Sequence, residues 1–75
     1  MLPNLKAEMM RQNLTCKIVG AEIGKKSEWI ENRIQGKATM PVGEALKIRK
    51  KFFPKLPFEY LFSNEVILPN FKEEN

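Results

Sequence analysis

Leu14-Thr15-Cys16-Lys17-Ile18-Val19-Gly20-Ala21-Glu22-Ile23-Gly24, then Lys25-Lys26, then Ser27-Glu28-Trp29-Ile30-Glu31-Asn32-Arg33-Ile34-Gln35-Gly36-Lys37, is the stretch on which the fold turns. Thr15 carries a side-chain oxygen able to accept from the free N–H groups that open a helix, so a helix is predicted over residues 16–23. Gly24 supplies the left-handed residue that closes it. After a turn at Lys25 and Lys26, Ser27 is expected to cap a third helix over about 27–35, which Gly36 ends. Ile30 and Ile34, four residues apart, form its inward edge, leaving Ser27, Glu28, Glu31 and Asn32 on or near the outer surface.

Upstream, Asn4 is placed to cap a first helix with Leu5, Met9 and Met10 at helical spacing, ending near Asn13, after which Leu14 turns inward. Downstream, Pro41 suits the start of a fourth helix whose apolar face is Val42, Ala45, Leu46, Ile48, Phe52 and Phe53, closed by Pro54. Pro57 opens a last helical turn, Phe58 to Phe62. From Ser63 to Asn75 helical periodicity is lost, and the expectation is a partly disordered tail ending in Lys72-Glu73-Glu74.

Seventy-five residues with 43% hydrophobic and 29% charged side chains suit one packed domain and exclude a disordered chain. The chain has no His, its acidic residues are all Glu, and Cys16 has no second Cys to pair with. A catalytic triad, a zinc finger and a disulfide scaffold are thereby excluded within the chain, and no enzyme activity, cofactor or metal is expected. No apolar run approaches membrane-spanning length, and Met1 to Asn13 lacks the continuous apolar segment of an export signal. With an unpaired thiol, the expected compartment is the reducing cytoplasm. Residues 1–62 hold twelve Lys and Arg against six Glu, a net +6, whereas residues 63–75 hold one Lys against three Glu, a net −2. A basic body raises the expectation of a polyanionic partner, nucleic acid above all, with plain solubility as the alternative.

The segment Leu14 to Gly24, with Gln35-Gly36-Lys37 twelve residues after Gly24, resembles the lambda-repressor-like (Cro/C1-type, XRE) helix-turn-helix family. Glu44-Ala45-Leu46-Lys47-Ile48-Arg49 through Phe52-Phe53-Pro54 to Glu59-Tyr60-Leu61-Phe62 is similar to the fourth and fifth helices of small regulators from phages of Gram-positive bacteria. The resemblance spans residues 5–62. It implies an all-α, compact five-helix DNA-binding domain over 1–62, then a short non-helical tail over 63–75. It implies a dimeric regulator of transcription on a double-stranded operator, with the third helix in the major groove. The family's base-reading positions fall on Lys26, Ser27, Glu28 and Asn32. Its phosphate contacts fall on Thr15, Lys17 and Lys37, with Lys25 added for its charge and place. Where many members carry Gln at the start of helix two, this chain has Cys16. Where an Arg–Glu pair often joins helices one and three, it has Met9 and Ile34.

Several residues admit more than one reading. Trp29 suits an edge of the core, a contact with sugar or a thymine methyl, or a protein–protein surface. Glu28 and Glu31 put negative charge on a helix meant to approach phosphates, which favours as second reading a protein-binding antirepressor or antitoxin-like module. Cys16 at a helix start is either a thiol of lowered pKa, suited to redox sensing, or an unremarkable one. Arg49-Lys50-Lys51 reads as a solvated helix end favoured by the helix dipole. Val66, Ile67 and Leu68 form an apolar stretch that packs on a partner subunit or back on the domain.

Overall fold

The computed structural model describes residues 1–67. Five helices follow one another, α1 (Pro3–Arg11), α2 (Cys16–Ile23), α3 (Ser27–Gln35), α4 (Val42–Phe52) and α5 (Phe58–Leu61). No strand occurs among the described residues, so the chain is all-helical there.

Local backbone chemistry sets the first three helix ends in the same way. Each is followed by a residue in the left-handed region, Asn13 (φ 57°), Gly24 (φ 75°) and Gly36 (φ 85°). The next amide then reaches back five residues: Leu14 N–H to the Met9 carbonyl (2.8 Å), Lys25 to Gly20 (2.8 Å) and Lys37 to Asn32 (2.9 Å). This closure satisfies carbonyls that a helix end leaves free, and Gly or Asn adopts it at least steric cost. At the other end of α2, Thr15 caps as its sequence position predicts, its Oγ1 accepting from Ile18 N–H at 3.1 Å.

Two expected caps are corrected. Helix α1 begins at Pro3, whose missing N–H costs nothing in a first turn, so Asn4 lies inside the helix and is buried. Its side chain serves a distant segment instead. Nδ2 donates to the carbonyls of Tyr60 (2.9 Å) and Glu65 (2.7 Å), and Oδ1 accepts from Ile67 N–H (3.0 Å). Helix α3 is preceded by Lys26, in extended conformation, whose carbonyl accepts from Trp29 N–H at 3.0 Å. Ser27 is therefore the first helical residue and makes no capping bond.

The core gathers Leu2, Leu5, Met9, Val19, Ile30, Ile34, Ile48, Phe53, Tyr60 and Leu61. Each fully buried aliphatic or aromatic side chain here contributes about 1.5–3 kcal/mol of transfer free energy. Met9 and Ile34 both lie in it, so α1 and α3 meet there through apolar side chains. Met10 does not: the Leu5–Met9 edge of α1 faces inward, and the next residue, turned by 100° as in any α-helix, is 68% exposed. The apolar face of α4 is likewise narrower than expected, with Ala45 and Ile48 buried but Val42 and Leu46 exposed.

The basic end of α4 is not simply solvated. The Arg49 guanidinium donates to the carbonyls of Leu56 (2.6 Å) and Pro54 (3.4 Å), stitching the α4–α5 turn, and Lys51 reaches Glu22 on α2 at 3.4 Å. Glu8, inside α1, is also buried and bonded to both Arg11 and Tyr60. No helix among the described residues is long and apolar enough to cross a membrane.

Candidate nucleic-acid interface

Helices α2 and α3 are joined by Gly24-Lys25-Lys26 alone, and their relative placement is close-packed. A Cβ added at Gly20 would come within 2.5 Å of the Lys25 carbonyl oxygen, so the turn lies directly on α2. At the far end of α3, Leu2 N–H donates to the Ile34 carbonyl at 2.8 Å, tying the helix to the start of the chain. With Ile30 and Ile34 buried, the helical period turns Glu28, Asn32 and Gln35 to the opposite side.

Lys26, Ser27 and Glu28 are exposed, and Asn32 is half-buried at the edge of an open groove of about 520 Å³. Gly24, Lys25, Lys26, Glu28, Trp29, Asn32 and Arg33 line that groove, which brings three of the four expected base-reading residues together with Lys25. Ser27 is outside its lining. Thr15 and Lys17 are exposed at the start of α2, on the other flank of α3, where Thr15 shares a second groove with Cys16, Glu31 and Gln35. Lys37 is exposed beyond Gly36, beside a third groove that also meets Arg33. The expected phosphate contacts thus occupy three places around α3.

Trp29 is half-buried and packs against the core, in accord with the edge-of-core reading. Its ring also carries two cations: the Arg33 guanidinium lies 4.0 Å and the Lys25 ammonium 5.1 Å from the ring centroid. Arg33 Nη1 donates to the Trp29 carbonyl at 3.2 Å, which fixes the stack. Arg33 belongs to none of the expected contacts; its signal in the sequence is an Arg four residues after a Trp on one helix, the spacing that brings side chains together.

Cys16 is half-buried, and burial, then the negative charge of Glu31, pushes its thiol pKa up, with Lys6 opposing. The lowered pKa that redox sensing needs is overturned, and the thiol stays protonated at neutral pH. The Glu31 carboxylate accepts from Gln35 Nε2 at 3.3 Å, whereas Glu28 has no charged partner among the described residues. No three Cys or Glu side chains converge among the described residues. Val66 and Ile67 are exposed beside the Asn4 tether; Leu68 lies outside the described residues.

No protein family, curated protein or solved structure matches the chain.

Proposed function

We propose that the protein is a sequence-specific regulator of transcription that binds double-stranded DNA as a dimer and blocks transcription by occupying an operator. The observation that carries this reading is the tight α2–turn–α3 unit, which turns a polar edge outward between basic flanks. An α-helix about 10–12 Å across fits a major groove about 12 Å wide, where each base pair presents its own donors and acceptors.

Asn32 then bonds adenine through its carboxamide, Lys26 donates to guanine, Glu28 accepts from a cytosine amino group, and Ser27 serves either kind of base. Thr15, Lys17, Lys25 and Lys37 hold the phosphates and set register without choosing sequence. One short helix reads few base pairs, so two copies are needed, with half-sites about 34 Å apart and Val66, Ile67 and Leu68 offered as the contact between subunits. A lambda-repressor-like arrangement of the five helices is part of the same proposal.

Selection of the full chain against a randomised duplex pool, followed by sequencing of the bound fraction, tests it. Enrichment of a pseudo-palindrome supports a dimeric operator-binding regulator. Absence of any retention at low salt sinks the reading. The exposed Glu28 on α3 favours one rival, a protein-binding antirepressor or antitoxin-like module, whose complex would respond to salt far less steeply than a DNA complex held by several phosphates.

A further inference from the structure

We infer that Lys25 and Arg33, ordered on the Trp29 ring, form a clamp for a backbone phosphate of duplex DNA, on the flank of α3 remote from Thr15 and Lys17. The inference rests on the proposal that α3 enters the major groove, and it assigns Arg33 and Trp29 roles that the reading of α3 as base contacts leaves open.

Two like charges gathered on one aromatic ring repel each other. Neither Lys25 nor Arg33 has a carboxylate partner among the described residues. Arg33 spends one donor on the Trp29 carbonyl, while its Nε is shut off from solvent with no acceptor. Two cations held at one ring without a carboxylate partner are what an anion satisfies. The stack also holds the guanidinium plane before any ligand arrives, so little side-chain freedom is left to lose on binding.

Position completes the argument. On α3, Glu31 and Gln35 face the groove shared with Thr15 and Cys16, whereas Trp29 and Arg33 line, with Lys25, the groove whose other edge carries Lys26, Glu28 and Asn32. A helix seated in the major groove has a phosphate backbone on each side. Thr15 and Lys17 meet one, and the Lys25–Trp29–Arg33 stack meets the other. Trp29 is a positioning residue here: it touches no base and acts through the two cations.

The test is fluorescence anisotropy of the full chain on a labelled duplex of selected sequence and on a shuffled one, titrated between about 50 and 200 mM salt. Arg33→Ala and Lys25→Ala are each expected to flatten the slope of log K against log salt by about one, and to weaken both duplexes by the same factor. Trp29→Ala should flatten it further than either, and Trp29→Phe, which keeps a ring face, should restore most of it. Should Trp29→Ala fail to melt cooperatively, the two single-cation variants decide the matter. Slopes unchanged in Arg33→Ala and Lys25→Ala, in a parent protein whose binding is salt-dependent, overturn the clamp and leave the α3 reading standing. A loss confined to the selected duplex overturns it too, because Arg33 would then be reading a base. A parent that binds no duplex at low salt overturns the docking reading first and the clamp with it.

Discussion

The Tyr60 hydroxyl donates to Glu8 Oε2 at 2.5 Å, joining the last helix to the first across 52 residues of chain. Glu8 is buried, and the Arg11 guanidinium binds the same oxygen, so its negative charge is met by one neutral and one cationic donor. A carboxylate in that position destabilises a fold unless its hydrogen bonds are made. Here it becomes a fastener for α5, a helix of four residues with little stability of its own.

Tyr60→Phe removes one of the two donors to Glu8 Oε2 and leaves it with Arg11. A hydrogen bond to a charged group is worth about 1.5–3 kcal/mol, and a loss of that size is expected in urea unfolding. Glu8→Gln should cost less than Tyr60→Phe, since an amide oxygen still accepts from the phenol. Equal stability of Tyr60→Phe and parent would show that the bond to Glu8 does not fasten α5 and that packing and the Asn4 bond to the Tyr60 carbonyl hold it.

Alkaline pH should loosen the fold through two groups. Burial, then the bond to Glu8, raises the Tyr60 pKa above its ordinary 10.0, and burial, then Glu31, raises that of Cys16 above 9.0. The unfolded chain gives up both protons first, so the stabilisation is complete below about pH 9 and is lost as pH rises through the native values. Melting temperatures measured from pH 7 to about 11 should fall at the upper end, and Tyr60→Phe with Cys16→Ala should flatten that fall. A parent curve without the fall would remove the assigned causes.

Asn4 gives the third expectation. Its carboxamide supplies both partners that the backbone around Val66 needs, accepting from Ile67 N–H and donating to the Glu65 carbonyl. Asn4→Ala leaves the buried Tyr60 carbonyl without this donor, at about 1–3 kcal/mol, and frees the part-buried backbone groups of Glu65 and Ile67 after α5. A Glu-specific protease should then cut after Glu65 faster than in the parent. Asn4→Asp should be worse than Asn4→Ala, because the oxygen replacing Nδ2 faces the Tyr60 and Glu65 carbonyls.

What the sequence made legible was what neighbouring residues decide. Thr15, Gly24 and Gly36 act through backbone geometry within five residues, and Ile30 and Ile34 through a helical period, so the bounds of α2 and the C-terminal end of α3 agree with the sequence reading. Asn4 and Ser27 have side chains that cap well in isolation, yet Asn4 turned to a carbonyl 61 residues away, and the Lys26 carbonyl already opened α3. At the candidate site, the resemblance names Lys26, Ser27, Glu28 and Asn32, and all but Ser27 line one groove with Lys25. The Trp29–Arg33 stack follows the same four-residue helical spacing.

The last expectation separates reading from holding. Asn32→Ala should relax the base preference at one position of the selected site, by about 1–3 kcal/mol against the wrong base, while leaving the salt slope unchanged. Lys37→Ala should weaken every duplex alike and flatten the slope by about one. Glu28 is the sharper case, because an exposed carboxylate on α3 repels phosphate whether or not it bonds a cytosine amino group. Glu28→Gln should therefore raise the affinity for shuffled duplexes at low salt, an effect that fades as salt screens it. If Glu28 also reads cytosine, the selected site changes at one position in the variant, and the gain on shuffled DNA is accompanied by lost discrimination there. A gain without any change in the selected site would assign Glu28 to repulsion alone, and no gain on any duplex would place it away from the DNA, contrary to the proposed seat of α3 in the major groove.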